Sequence, residues 1–180
     1  MGAPLPNRDE IKSAGLLGML GIIFQLLSGI PDVGPLLAIA GLIMWLIAMK
    51  KLADAYGNQP IFRNALVAVV LGFVLAVVLF IALFVGLISL TSFVPMHSGF
   101  SPMWGVIGII IAVLVVLWIV MIVEAYFIRK AYLELARSSG VADFESAAKW
   151  YWIGALTVIV LVGLVFVLVG DVFAILGFNK

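Results

Sequence analysis

From Ala65 to Ile88 the chain runs for 24 residues without one polar side chain. A helix advances about 1.5 Å per residue, so about 20 apolar residues cross a hydrocarbon layer of about 30 Å. Water gives such a helix no polar face to present, whereas lipid demands none. The rest of the sequence agrees: 66% of the 180 residues are hydrophobic, 11% are charged and the mean hydropathy is +1.32. That is more apolar surface than a soluble core of this size can bury. The expected class is therefore an all-α, polytopic helical membrane protein.

Five stretches meet or approach the spanning length: residues 13–30, 34–49, 65–94, 104–123 and 150–170. The first two are joined by PDVGP, residues 31–35, whose prolines and Gly34 end one helix and start the next, which predicts a tight N-terminal helical hairpin. The remaining connections are two charged elbows, 50–64 and 124–149, and an apolar loop, 95–103. Arg8, Lys12, Lys50, Lys51, Arg63, Arg129, Lys130, Arg137 and Lys149 all fall on one side of a five-span arrangement, and only Lys180 falls on the other. Positive charge is retained in the cytoplasm, so the expectation is a multi-pass protein of the cell membrane with a cytoplasmic N-terminus and an external C-terminus.

The two elbows echo each other. Leu52, Ala53 and Gly57 repeat as Leu135, Ala136 and Gly140; Phe62, Ala65 and Gly72 repeat as Phe144, Ala147 and Gly154, with one residue fewer between the halves. Each copy reads as a helix ending on a left-handed glycine and restarting near Pro60 or Asp143, with the phenylalanine docked at the membrane surface. One reading is a parallel repeat of two hairpins about the membrane normal; the other is coincidence among common residues. The Pro-Gly hairpin turn, the elbow YGNQPIFRNAL and the second elbow leading into WYWIGAL resemble an archaeal family of small polytopic membrane proteins catalogued as a domain of unknown function. That resemblance implies the membrane architecture and supplies no activity or site residue.

Little chemistry is legible. With no cysteine and one histidine, His97, no metal site, cofactor site or catalytic constellation can be assembled, and a net charge of +1 offers nucleic acid no basic field. Phe93, Phe100, Met103 and Trp104 beside His97 read as interfacial anchors. The polar candidates inside or beside spans are Gln25, Ser28, Glu124 and Asp171. Glu124 falls at the inner end of the fourth span and Asp171 at the outer end of the fifth, a membrane thickness apart, which forbids a carboxylate pair. The plainer reading has Glu124 neutralising Lys50, Lys51 or Lys130, and Asp171 ending a helix near water. In the first span Ala14, Gly18, Gly21, Gln25 and Ser28 share one face, and in the second Gly34, Ala38, Gly41, Trp45 and Ala48 do the same. Gly18 and Gly21 are expected against Ala38 and Gly41, with Gln25 as a hydrogen-bonding glue; the alternative is that Gln25 and Ser28 bind an ion or ligand. Without polar groups along the third span, the expected role is non-enzymatic: a scaffold, an accessory subunit of a larger membrane complex or a homo-oligomer, surrounded by lipid. The alternative is a small transporter or channel.

Overall fold

The computed structural model describes residues 8–92, 102–158 and 162–180. His97, Phe93, Phe100 and most of the loop 95–103 lie outside them. Among the described residues six α-helices follow one another: α1 (Arg8–Leu26), α2 (Gly34–Ala55), α3 (Gln59–Ser92), α4 (Pro102–Ser139), α5 (Ala142–Thr157) and α6 (Gly163–Phe178). A single 3-10 turn, Leu27–Gly29, extends α1. The described residues contain no strand, and four helical stretches (Arg8–Gly29, Gly34–Ala55, Gln59–Gly86 and Ile110–Ser139) are long and apolar enough to cross a membrane.

Local chemistry explains the boundaries. Between α1 and α2, Asp32 adopts a φ of 67° and Pro35 lies in the first turn of α2, where its missing N–H costs nothing. At the end of α2, Gly57 takes a φ of 63°. The Asn58 N–H reaches back to the Ala53 carbonyl at 2.9 Å and the Gly57 N–H to Asp54 at 3.2 Å, the paired bonds of a Schellman cap. At the end of α4, Gly140 takes a φ of 74° and donates to Ala136 at 2.8 Å, the simpler left-handed cap. The two glycines singled out by the sequence echo thus perform the same task by two hydrogen-bond patterns. Helix restarts at Gln59 and Ala142, each within a residue of expectation. The correspondence ends there, because α3 runs on for 34 residues while α5 stops after 16.

That early stop corrects the fifth span. Residues 150–170 do not form one crossing helix: α5 ends at Thr157, and α6 packs back along it. Gly154 and Gly163 lie so close that a Cβ on Gly163 would collide with the Gly154 carbonyl. Farther along the pair, Gly170 faces Tyr151 and Gly177 faces the Phe144 ring. The hairpin closes at its base with a Lys180 to Asp143 ion pair of 2.5 Å. Lys180 consequently returns to the end of the bundle where α5 began, and the basic residue expected opposite the other nine joins them.

Packing follows chain order and then closes on itself. Helix α1 packs on α2, α2 on α3, α3 on α4, α4 on α5, α5 on α6, and α6 on α1. The last contact is backbone-close, since a side chain on Gly15 would strike the Phe178 carbonyl and one on Gly18 would meet the Phe178 ring at 2.6 Å. Gly18 therefore faces α6 and not α2, as the hairpin expectation had it. Gly21 does meet Gly41, as expected: a Cβ on Gly21 would lie 2.7 Å from the Gly41 carbonyl oxygen, and one on Gly41 2.5 Å from that of Gly21. Ala38 is only half-buried.

Near the elbows the ring is plugged. Met49, Ile61, Tyr132 and Leu135 are fully buried there, and Phe144, expected at the membrane surface, is 3% exposed. Its ring stacks on Tyr132 at 6.0 Å and meets Phe178 edge-on at 5.1 Å. Phe62 is half-buried under the Lys50 ammonium, 5.4 Å from its ring centre. Asn58 ties the two elbows together by donating to Ser138 at 2.9 Å and to Glu134 at 3.2 Å.

Candidate functional site

Above the plug the six helices enclose a cavity of about 730 Å³, and every one of them contributes to its wall. Helix α3 supplies small residues, Ala68, Gly72 and Ala76, which keep the wall thin. The floor is aromatic. The Trp45 indole N–H donates to the Tyr132 hydroxyl at 3.0 Å, and the Tyr132 and Tyr151 rings stack with centres 5.6 Å apart. The Tyr151 hydroxyl in turn donates to the Asp171 carboxylate. A polar thread therefore runs from α2 through α4 and α5 to α6 across the bottom of the cavity, satisfying groups that would otherwise be costly to bury.

Three of the four polar residues singled out from the sequence line this one cavity: Gln25, Glu124 and Asp171. The expectation that the two carboxylates are separated by the membrane fails because α6 reverses direction and carries Asp171 back into the bundle. Asp171 sits in the middle of α6 against Tyr151, not at a helix end near water. Glu124 does not neutralise a neighbouring lysine either. Lys50 pairs with Asp54 at 3.2 Å, Lys51 reaches Ser13 at 3.5 Å, and Lys130 lies over the Tyr126 ring at 4.5 Å. Among the described residues Glu124 has no ion pair. Its carboxylate instead occupies the space left by Gly72, where a Cβ would come within 2.8 Å of Oε1.

Gln25 makes no side-chain hydrogen bond among the described residues, so the hairpin is held by the Gly21–Gly41 backbone contact rather than by the expected amide glue. Ser28 is exposed in the turn; its carbonyl packs on Gly34, and its side chain takes no part in the cavity. No three histidine, aspartate or glutamate side chains converge as metal ligands among the described residues. Sequence reasoning missed Tyr132 and Tyr151. Tyr151 carried a signal as a phenol inside the fifth apolar stretch, since a buried phenol needs a partner, whereas Tyr132 fell within the charged elbow 124–149 and only its burial reveals it.

The rim of the cavity is apolar. Leu26, Leu42, Val70 and Phe73 line it, and they are 42%, 36%, 52% and 70% exposed. They come from α1, α2 and α3, so the mouth opens sideways at the seam between the N-terminal hairpin and α3. In a bilayer that direction leads to lipid.

Comparison with known proteins identifies relatives without adding a chemistry. No solved structure matches the chain. An uncharacterized protein of Methanocaldococcus jannaschii is 31% identical over 170 residues, covering 94% of this chain and 92% of the relative. The model of a family described as a protein of unknown function, DUF996, matches residues 37–172, a stretch that takes in both elbows, the aromatic floor and both cavity carboxylates. This chain belongs to the DUF996 family.

Proposed function

We propose that this chain is a non-enzymatic carrier of the cell membrane, which holds a small molecule within its ring of helices and exchanges it with the bilayer. The convergence of Gln25, Glu124 and Asp171, from three separate helices, on one cavity carries this reading. The scaffold or accessory role expected from the sequence rested on the apolar third span. That span contributes small residues to a wall whose polar groups come from its neighbours, so its lack of polarity no longer argues against a path. The cavity volume falls within the range of about 300–1,000 Å³ usual for small-molecule sites.

All ten Lys and Arg residues lie toward the elbow half of the bundle once Lys180 is returned there. The positive-inside tendency then supports a cytoplasmic location for that half, with both described chain ends on the cytoplasmic side.

Native mass spectrometry after gentle extraction tests the carrier reading. The wild-type chain should retain a small-molecule adduct that Ala76→Trp, which fills the cavity from α3, loses. Absence of any adduct from the wild type, together with a stoichiometric second polypeptide, would return the protein to the scaffold class.

A further inference from the structure

The lining of the cavity has an unbalanced charge pattern. Among the described residues two carboxylates, Glu124 and Asp171, face it, and no lysine, arginine or histidine does. Asp171 takes a proton donor from Tyr151, whereas Glu124 has no cationic partner among the described residues. A carboxylate held away from bulk water by apolar walls favours an opposite charge, because little solvent remains to screen it. The surrounding surface is suited to the same guest. Trp45, Tyr132, Tyr151 and Phe73 present aromatic rings, whose negative faces attract cations. The mouth is entirely apolar and opens toward lipid, so a guest must be soluble in the membrane to arrive. A hydrated metal ion carries the required charge but is not soluble in the membrane, and among the described residues no three-ligand cluster is present to replace its water shell.

We propose that the cavity receives an organic cation with an apolar body, which enters from the bilayer between Leu42 and Phe73 and places its charge against Glu124 and Asp171. The proposal rests on the carrier reading and adds the chemical class of the guest. Gly72 belongs to the same device: without a side chain there, the Glu124 carboxylate can lie across α3 and face the cavity. Glu124 is the principal counter-ion, since the Asp171 carboxylate is already engaged by Tyr151.

Tetraphenylphosphonium and tetraphenylborate provide the test, being nearly equal in size and opposite in charge, with triphenylphosphine oxide as a neutral comparison. Equilibrium binding is measured on the purified full chain in nanodiscs of zwitterionic lipid. The cation should bind saturably at one site per chain, and neither comparison compound should compete with it. Glu124→Gln, which preserves volume and shape, should weaken cation binding on the order of tenfold or more, the usual consequence of losing a charged partner. Gly72→Ala moves the carboxylate without removing it and should weaken binding to a smaller extent; because its Cβ meets only the flexible end of Glu124, the fold should survive. Saturable binding of the borate or the oxide in place of the phosphonium overturns the charge assignment while leaving the carrier reading standing. Failure of all three probes to bind overturns the proposal, whereas the carrier reading falls only if the wild-type chain also retains no small-molecule adduct. Unchanged phosphonium affinity in a monodisperse, thermally intact Glu124→Gln protein also overturns the proposal.

Discussion

Substituting Gly21 by alanine adds one methyl group at the tightest contact between α1 and α2. The added Cβ would lie 2.7 Å from both the Gly41 carbonyl oxygen and the Trp45 nitrogen, and 3.1 Å from the Trp45 Cα. All three obstructing atoms are backbone, so no rotamer change relieves the clash and the helices must separate. Helix α2 is not free to retreat, because Trp45 is 6% exposed and its indole is hydrogen-bonded to the fully buried Tyr132 at 3.0 Å. Overpacking generally costs about 1–3 kcal/mol, and a backbone obstruction belongs in the upper part of that range. For a chain of this size each kcal/mol lowers the thermal midpoint by about 2–4 °C. Gly108→Ala is the matched control, since it also replaces a glycine inside a helix but its Cβ would meet nothing within 4 Å. Alanine has the better helix propensity, by up to about 1 kcal/mol, so Gly108→Ala should be neutral or stabilising. Thermal unfolding of the two variants in one detergent should therefore move in opposite directions or leave only the Gly21 variant impaired. A Gly21→Ala midpoint at or above that of the wild type would refute the backbone contact and turn that face of α1 toward lipid.

Three further outcomes follow from the same geometry. Gln25→Leu should change stability by less than about 0.5 kcal/mol, because no hydrogen bond is lost; a loss of about 0.6–2 kcal/mol in detergent unfolding would restore the interhelical glue. Gly57→Ala and Gly140→Ala should each destabilise by about 1–2 kcal/mol although both sites are open, since their φ values of 63° and 74° disfavour any side chain; stability equal to the wild type in chemical unfolding would count against the caps. Reporters fused before Met1 and after Lys180 should signal the same compartment, because Asp143 and Lys180 pair at the elbow end where α1 also begins; opposite compartments would reinstate a crossing fifth span.

Features set by local chemistry were readable in advance. Gly57 and Gly140 stood where an apolar helix pattern gave way to polar residues, and a left-handed cap is what such a glycine supplies. The PDVGP turn and the Gly21–Gly41 contact were legible for a similar reason, because proline placement and small residues at helical spacing constrain a hairpin within a short stretch of chain. Phe144 was misplaced by the same local logic. An aromatic residue beside a charged elbow suggests an interfacial anchor, and only the arrival of Phe178 and the stacking of Tyr132 make it a core residue.

The cavity was hidden by one reading of length. Residues 150–170 supply the count for a crossing, without proline or charge to interrupt it, so the sequence predicts a single span. The competing signal began inside that run: Gly163, Gly170 and Gly177 recur every seven residues and line one face of a helix that continues to Phe178. A small-residue face on a second short helix permits a backbone-close hairpin with α5, and in that hairpin α6 runs opposite to α5. Two consequences then follow together. Asp171 moves from the far side of the membrane to the cavity that Glu124 lines, and Phe178 moves under the aromatic floor that closes the bottom of that cavity. A straight fifth helix would have left the ring open between α1 and α5, exposed the Tyr132 hydroxyl side of the core and separated the carboxylates. The closed ring and the acidic cavity thus stand or fall with one turn, and nothing upstream of residue 158 could have announced it.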